Sequence, residues 1–171
     1  MEKEASQETS EQVEIKKPTK EELDAIIKNH VLASMGMGLI PIPITDLLGV
    51  LGIQLNLLRK LANVYNIGFS KDKGKNILAS LVGSSFSVSF GNALGSLMKL
   101  IPVVGQTIGV IASPLTFGAT TYAVAKVFIQ HFESGGTFLT FNPEKVREYY
   151  QKMLNEGKDF VSSLKKSPSQ N

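Results

Sequence analysis

His30 and His131 are the only histidines in the chain, and cysteine is absent. Zinc and iron sites need imidazole or thiolate ligands at characteristic spacings, so these residues form no metal motif. Thiolate chemistry and disulfides are excluded by composition. Acid–base chemistry has one candidate pair, His30 and Asp46, the latter being the single acid between Asn29 and Leu58. The pair could serve as general base and acid only if the intervening chain folds back to join them. Each also has a structural reading: a lone histidine on an apolar helix face is usually a hydrogen-bonded scaffold residue, and Asp46 after a proline corner suits a helix N-cap. Alternatively, Asp46 and Gln54, about two turns apart, form a polar contact buried between helices or bound to a partner. The run Gly68-Phe-Ser-Lys-Asp-Lys-Gly-Lys75 resembles a phosphate-binding loop. Five residues rather than four separate its glycines, Asn76 stands where a Mg²⁺-binding hydroxyl belongs, and no strand precedes it, so a nucleotide site is rejected. No catalytic residue, cofactor or metal is expected.

The elements that position these residues read as helices. Thr19 and Glu22 have capping-box spacing ahead of Leu23, Ile26, Ile27, His30 and Val31, which predicts a helix over about 20–39. Pro41 and Pro43 then force a corner, because proline lacks an amide donor and restricts the residue before it. A second helix, about 44–66, is apolar around most of its circumference. A basic connection with Lys71, Lys73 and Lys75 leads to a third helix over about 75–98, and after Leu100-Ile101-Pro102 a fourth runs to about His131, with Pro114 a place for a kink. Residues 85–90 alternate with period two before Gly91-Asn92, so a strand is the rival there. Asn142-Pro143 opens a last, amphipathic helix expected to dock on the body or a partner.

Two long stretches, Asn76–Met98 and Leu100–Ala125, contain no Asp, Glu, Lys or Arg. About 20 residues of helix cross a hydrocarbon layer, so the pair reads as a membrane-embedded hairpin. Ser87, Gly91 and Gly95 on one arm and Gly105, Gly109 and Ser113 on the other form small-residue faces that would pack the arms together in lipid. A soluble bundle could use the same glycines for tight crossings. Basic residues flank the hairpin on both sides, which puts both termini in the cytoplasm under the positive-inside rule. The net charge of +3 is too slight for a nucleic-acid footprint. Residues 1–20 contain no apolar core of a signal peptide and read as a disordered charged tail.

The block His30-Val31-Leu32-Ala33-Ser34, the corner Leu39-Ile40-Pro41-Ile42-Pro43-Ile44-Thr45-Asp46 and the run Gln54 to Tyr65 resemble the YcjF-type bacterial domain of unknown function. That domain occurs alone or fused to Era-like and dynamin-like GTPase domains. The resemblance covers about residues 25–130, and the residues matching its motif are His30, Pro41, Pro43, Asp46, Gln54 and Tyr65. It implies a location in or beside a membrane, a structural role for those residues, and work as the helical partner of a GTPase acting in trans.

The expected fold is all-α: two tandem helical hairpins with proline corners, the second glycine-rich and membrane-embedded, and a C-terminal amphipathic helix. The expected domains are a charged tail at 1–19, a hairpin domain at 20–134, and a C-terminal helix and tail at 135–171. The expected function is that of a non-enzymatic module of the inner membrane, with the lipid bilayer, a GTPase and further copies of the chain as partners. The alternative is a soluble cytoplasmic interaction domain that buries the same helices in its own core or in an oligomer.

Overall fold

Thr19 is extended and its hydroxyl accepts a hydrogen bond from the Glu22 amide at 3.2 Å, which caps the first helix as the sequence spacing requires. The computed structural model describes residues 17–39, 45–82 and 114–166. These contain five helices and no strand: α1 at Lys20–Met37, α2 at Thr45–Val64, α3 over 71–82, α4 at Pro114–Glu133 and α5 at Arg147–Lys166.

Two helices end in the same way. Asn66 takes φ 53° after α2, and the Ile67 amide donates back to the Ala62 carbonyl at 2.7 Å. Gly135 takes φ 79° after α4, and the Gly136 amide donates to the His131 carbonyl at 2.9 Å. Both are left-handed caps that satisfy the last carbonyls of the helix. Ahead of α5, the Asn142 side chain accepts from the Glu144 and Lys145 amides at 2.9 and 3.3 Å, so it caps a turn over 143–146, and the helix itself begins four residues later than the Asn142-Pro143 pair predicts.

α4 is the central element, buried at nearly every position from Phe117 to Ile129. α1, α2 and α5 pack around it. α1 and α5 run antiparallel to it: Met35 and Val31 lie against Gly118 near its start, Val161 meets the same glycine, and Gly157 abuts Ala119. At the other end of α4, Phe128, Phe132 and Phe138 stack with Phe69 and Phe141.

This arrangement changes the reading of the neutral runs. Residues 114–125 form most of the central helix of a protein core, and Ile77, Leu78 and Leu81 of the first run are buried in the same core. A helix that is apolar all round must be covered, and here other helices cover it. No helix among the described residues is long and apolar enough to cross a membrane. The expected packing faces at Ser87, Gly91, Gly95, Gly105, Gly109 and Ser113, the alternating segment at 85–90, and the corner residues Pro41 and Pro43 lie outside the described residues.

Candidate functional site

The polar residues of the helical body converge where α1, α2 and α4 meet. Ser34 and Thr121 are fully buried, and their hydroxyl oxygens lie 2.8 Å apart. The Gln54 side-chain amide, also buried, donates to the Thr121 hydroxyl at 3.3 Å. One hydroxyl on the central helix thus ties both helices of the first hairpin to α4.

One turn back along α1, His30 continues this seam toward the surface. Its Nδ1 lies 2.7 Å from the Ile26 carbonyl, which can only accept, so Nδ1 carries the proton. Nε2 is then left to accept from the Asn56 side-chain amide at 3.2 Å, and the Asn56 carbonyl accepts from Arg59 at 3.0 Å. Every donor in this chain faces an acceptor only while the imidazole is neutral. Burial, with a smaller contribution from the Lys60 charge and against the pull of the Ile26 carbonyl, holds the His30 pKa below its ordinary value. With both ring nitrogens occupied, the imidazole in this state has no free lone pair with which to take a proton.

An open groove of about 440 Å³ runs over the outside of this seam, between Asn29, His30 and Ala33 on α1 and Gly49, Gly52 and Lys60 on α2. Among the described residues no three histidines or acids converge as metal ligands would.

The chain matches the family described as "Domain of unknown function (DUF697)" over residues 2–159. It belongs to that family. It is also similar to "Magnetosome membrane protein 22" of Magnetospirillum gryphiswaldense, with 36% identity over 141 residues, 82% of this chain and 72% of that protein. No solved structure matches it.

Of the six residues that resemble the family's motif, three have described side chains, His30, Gln54 and Tyr65, and these three do not form one site. His30 and Gln54 share the seam. Tyr65 lies at the far end of α2, where its hydroxyl donates to Glu133 at 3.1 Å, and burial together with that carboxylate pushes the phenol pKa up. Asp46 belongs to the first turn of α2, and its side chain, like Pro41 and Pro43, is outside what the structure describes. Thr121 was not singled out from sequence, although Thr120-Thr121 interrupts an otherwise apolar run, while Ser34, one helical turn after His30, and Asn56 lay within the family-like segments without being assigned a role. The other histidine, His131, directs Nε2 to the Thr137 carbonyl at 2.9 Å and packs edge-on against Phe141. It secures the turn after α4.

Proposed function

We propose that this DUF697 chain is a non-enzymatic membrane-associated module whose helical body stays outside the bilayer and whose residues 83–113 enter it. The observation that carries this reading is that those 31 residues contain a single charge, Lys99, while the neutral residues on either side are committed to the protein core. The similarity to a protein named as a magnetosome membrane protein supports it. Residues 83–98 and 100–113 number 16 and 14. As helices they would reach about 24 and 21 Å, short of a hydrocarbon core of about 30 Å. The lengths suit a hairpin that enters and returns on one side, with the Lys99 side chain reaching for the far interface. Such a path keeps Lys71, Lys73, Lys75 and Lys126 on one side, the cytoplasmic one under the positive-inside rule. The resemblance to domains fused to GTPases extends the reading: the exposed body is the docking partner of a GTPase supplied in trans.

Alkaline carbonate extraction of membranes tests insertion, and the protein is expected to stay in the pellet. Release of most of it would sink the membrane reading and favour the soluble interaction domain, a rival that the protein-covered α4 supports. The partner is tested by co-purification from detergent extracts, where recovery of a GTPase is expected.

A further inference from the structure

The two ends of the helical body differ in hydropathy and charge. At one end α1 finishes, α2 begins and α4 sets out: Met37 packs on Gly49 and Met35 on Gly118. α5 runs antiparallel to α4, with Val161 on Gly118, so its last turn reaches this same end. Of the four exposed large hydrophobic residues among those described, three belong here: Leu39, 75% exposed, Leu48, 66% exposed, and Leu32, 43% exposed. The described side chains at 32–39, 48–53, 114–118 and 160–166 include two charges, Lys165 and Lys166, and the sequence adds one acid, Asp46. The opposite end mixes both signs, with Lys20, Glu21, Glu133, Glu144 and Arg147, and the fourth exposed hydrophobic residue, Leu139, stands there alone.

The geometry points to the first of these ends as the surface that rests on an anionic lipid bilayer, with Leu39 and Leu48 below the headgroups and Lys165 and Lys166 on lipid phosphates. The inference rests on the membrane reading and adds an orientation to it. α4 begins with Pro114 at this end, so a neutral segment held in lipid immediately before it draws this face toward the bilayer. A basic residue close to an anionic leaflet strengthens association about fivefold, and exposed leucines gain by leaving water, so charge and hydropathy select the same face.

The absence of native cysteine allows single-cysteine probes on the full chain. Leu39→Cys, Leu48→Cys, Leu139→Cys and Asn92→Cys proteins, each carrying an environment-sensitive fluorophore, are reconstituted into vesicles of phosphatidylcholine and phosphatidylglycerol containing nitroxide lipids. Probes at 39, 48 and 92 are expected to be quenched by lipid nitroxide and shielded from aqueous iodide, and the probe at 139 to show the reverse. Omitting phosphatidylglycerol is expected to lower quenching at 39 and 48 but not at 92, and equal quenching in neutral vesicles overturns the lysine–phosphate pairing. Iodide access at 39 and 48 equal to that at 139, with 92 still quenched by lipid, overturns the orientation and leaves the membrane reading standing. Shielding at 39 and 48 without lipid quenching means that a second copy covers this end, and likewise overturns it. Loss of lipid quenching at 92 as well overturns both.

Discussion

Replacing Gly157 by alanine probes the crossing on which the helical body depends. The new Cβ would lie 2.8 Å from the Ala119 carbonyl oxygen, 3.0 Å from the Ala119 Cα and 3.1 Å from the Tyr122 Cβ, where ordinary contact is 3.4–4 Å. The first two atoms are backbone of the central helix and cannot rotate aside, so α4 and α5 must separate by about half an ångström. That movement loosens Val161 from Gly118 and the Tyr122–Phe160 ring pair, whose centroids are 5.0 Å apart. Overpacking of this kind costs about 1–3 kcal/mol, while alanine in a helix regains about 1 kcal/mol over glycine. With both helices forced to shift, the cost lies toward its upper limit and the net loss is about 1–2 kcal/mol, a fall in Tm of several degrees. Gly52→Ala is the control, because nothing lies within 4 Å of its added Cβ and the residue is inside α2. It should gain about 0.5–1 kcal/mol. Thermal and urea unfolding followed by circular dichroism measures both variants. Stabilisation by Gly157→Ala equal to that by Gly52→Ala would refute the tight crossing.

Thr121→Val keeps the shape of the side chain but removes the hydroxyl shared by Ser34 and Gln54, and should cost about 1–3 kcal/mol in urea unfolding; adding Ser34→Ala should recover part of it, giving a non-additive double-mutant cycle. Because the folded state disfavours charged His30, its contribution to stability should be complete above pH 6.5 and decline as pH falls from there through the lowered pKa. The difference in unfolding free energy between the wild type and His30→Gln, measured from pH 8 to 5, should shrink over that window, and a constant difference would count against the neutral hydrogen-bond chain. Asn142→Ala removes the acceptor for the Glu144 and Lys145 amides and should cost about 1 kcal/mol, read by thermal unfolding.

Features set by local chemistry could be read directly from the chain. Thr19 caps α1 where its spacing to the following residues requires, Asn142 caps the turn ahead of α5, and α1 and α2 begin or end within about two residues of the expected limits, because capping acts over a few residues. The neutral runs could not be read this way. Phe117 to Ala125 would look the same buried in lipid or in the centre of a helical body, and only the partners supplied by α1, α2 and α5 decide between them. His30 and Gln54 stood out as polar residues on apolar helices, yet the residue that joins the seam, Thr121, lies 87 positions from Ser34 and 67 from Gln54. Gly157 carried a signal that was missed. A glycine inside an amphipathic helix is unfavourable by about 1 kcal/mol, and close backbone approach is the usual reason to keep one.

The seam has a physical task that fits a scaffold better than a reaction centre. Helices faced with leucine, valine and alanine can slide against one another at little cost, whereas a buried hydroxyl and amide that must stay paired allow one register. Ser34, Gln54 and Thr121 fix that register close to the end of the body where Leu39 and Leu48 are exposed. A slip of one turn along α1 would carry Leu39 about 5.4 Å out of line with Leu48. On the proposed orientation that displacement would lift one leucine out of the lipid. On that orientation the polar node inside the protein would decide whether Leu39 and Leu48 meet the lipid together, and loss of the Thr121 hydroxyl should weaken lipid contact at both even though Thr121 itself is fully buried.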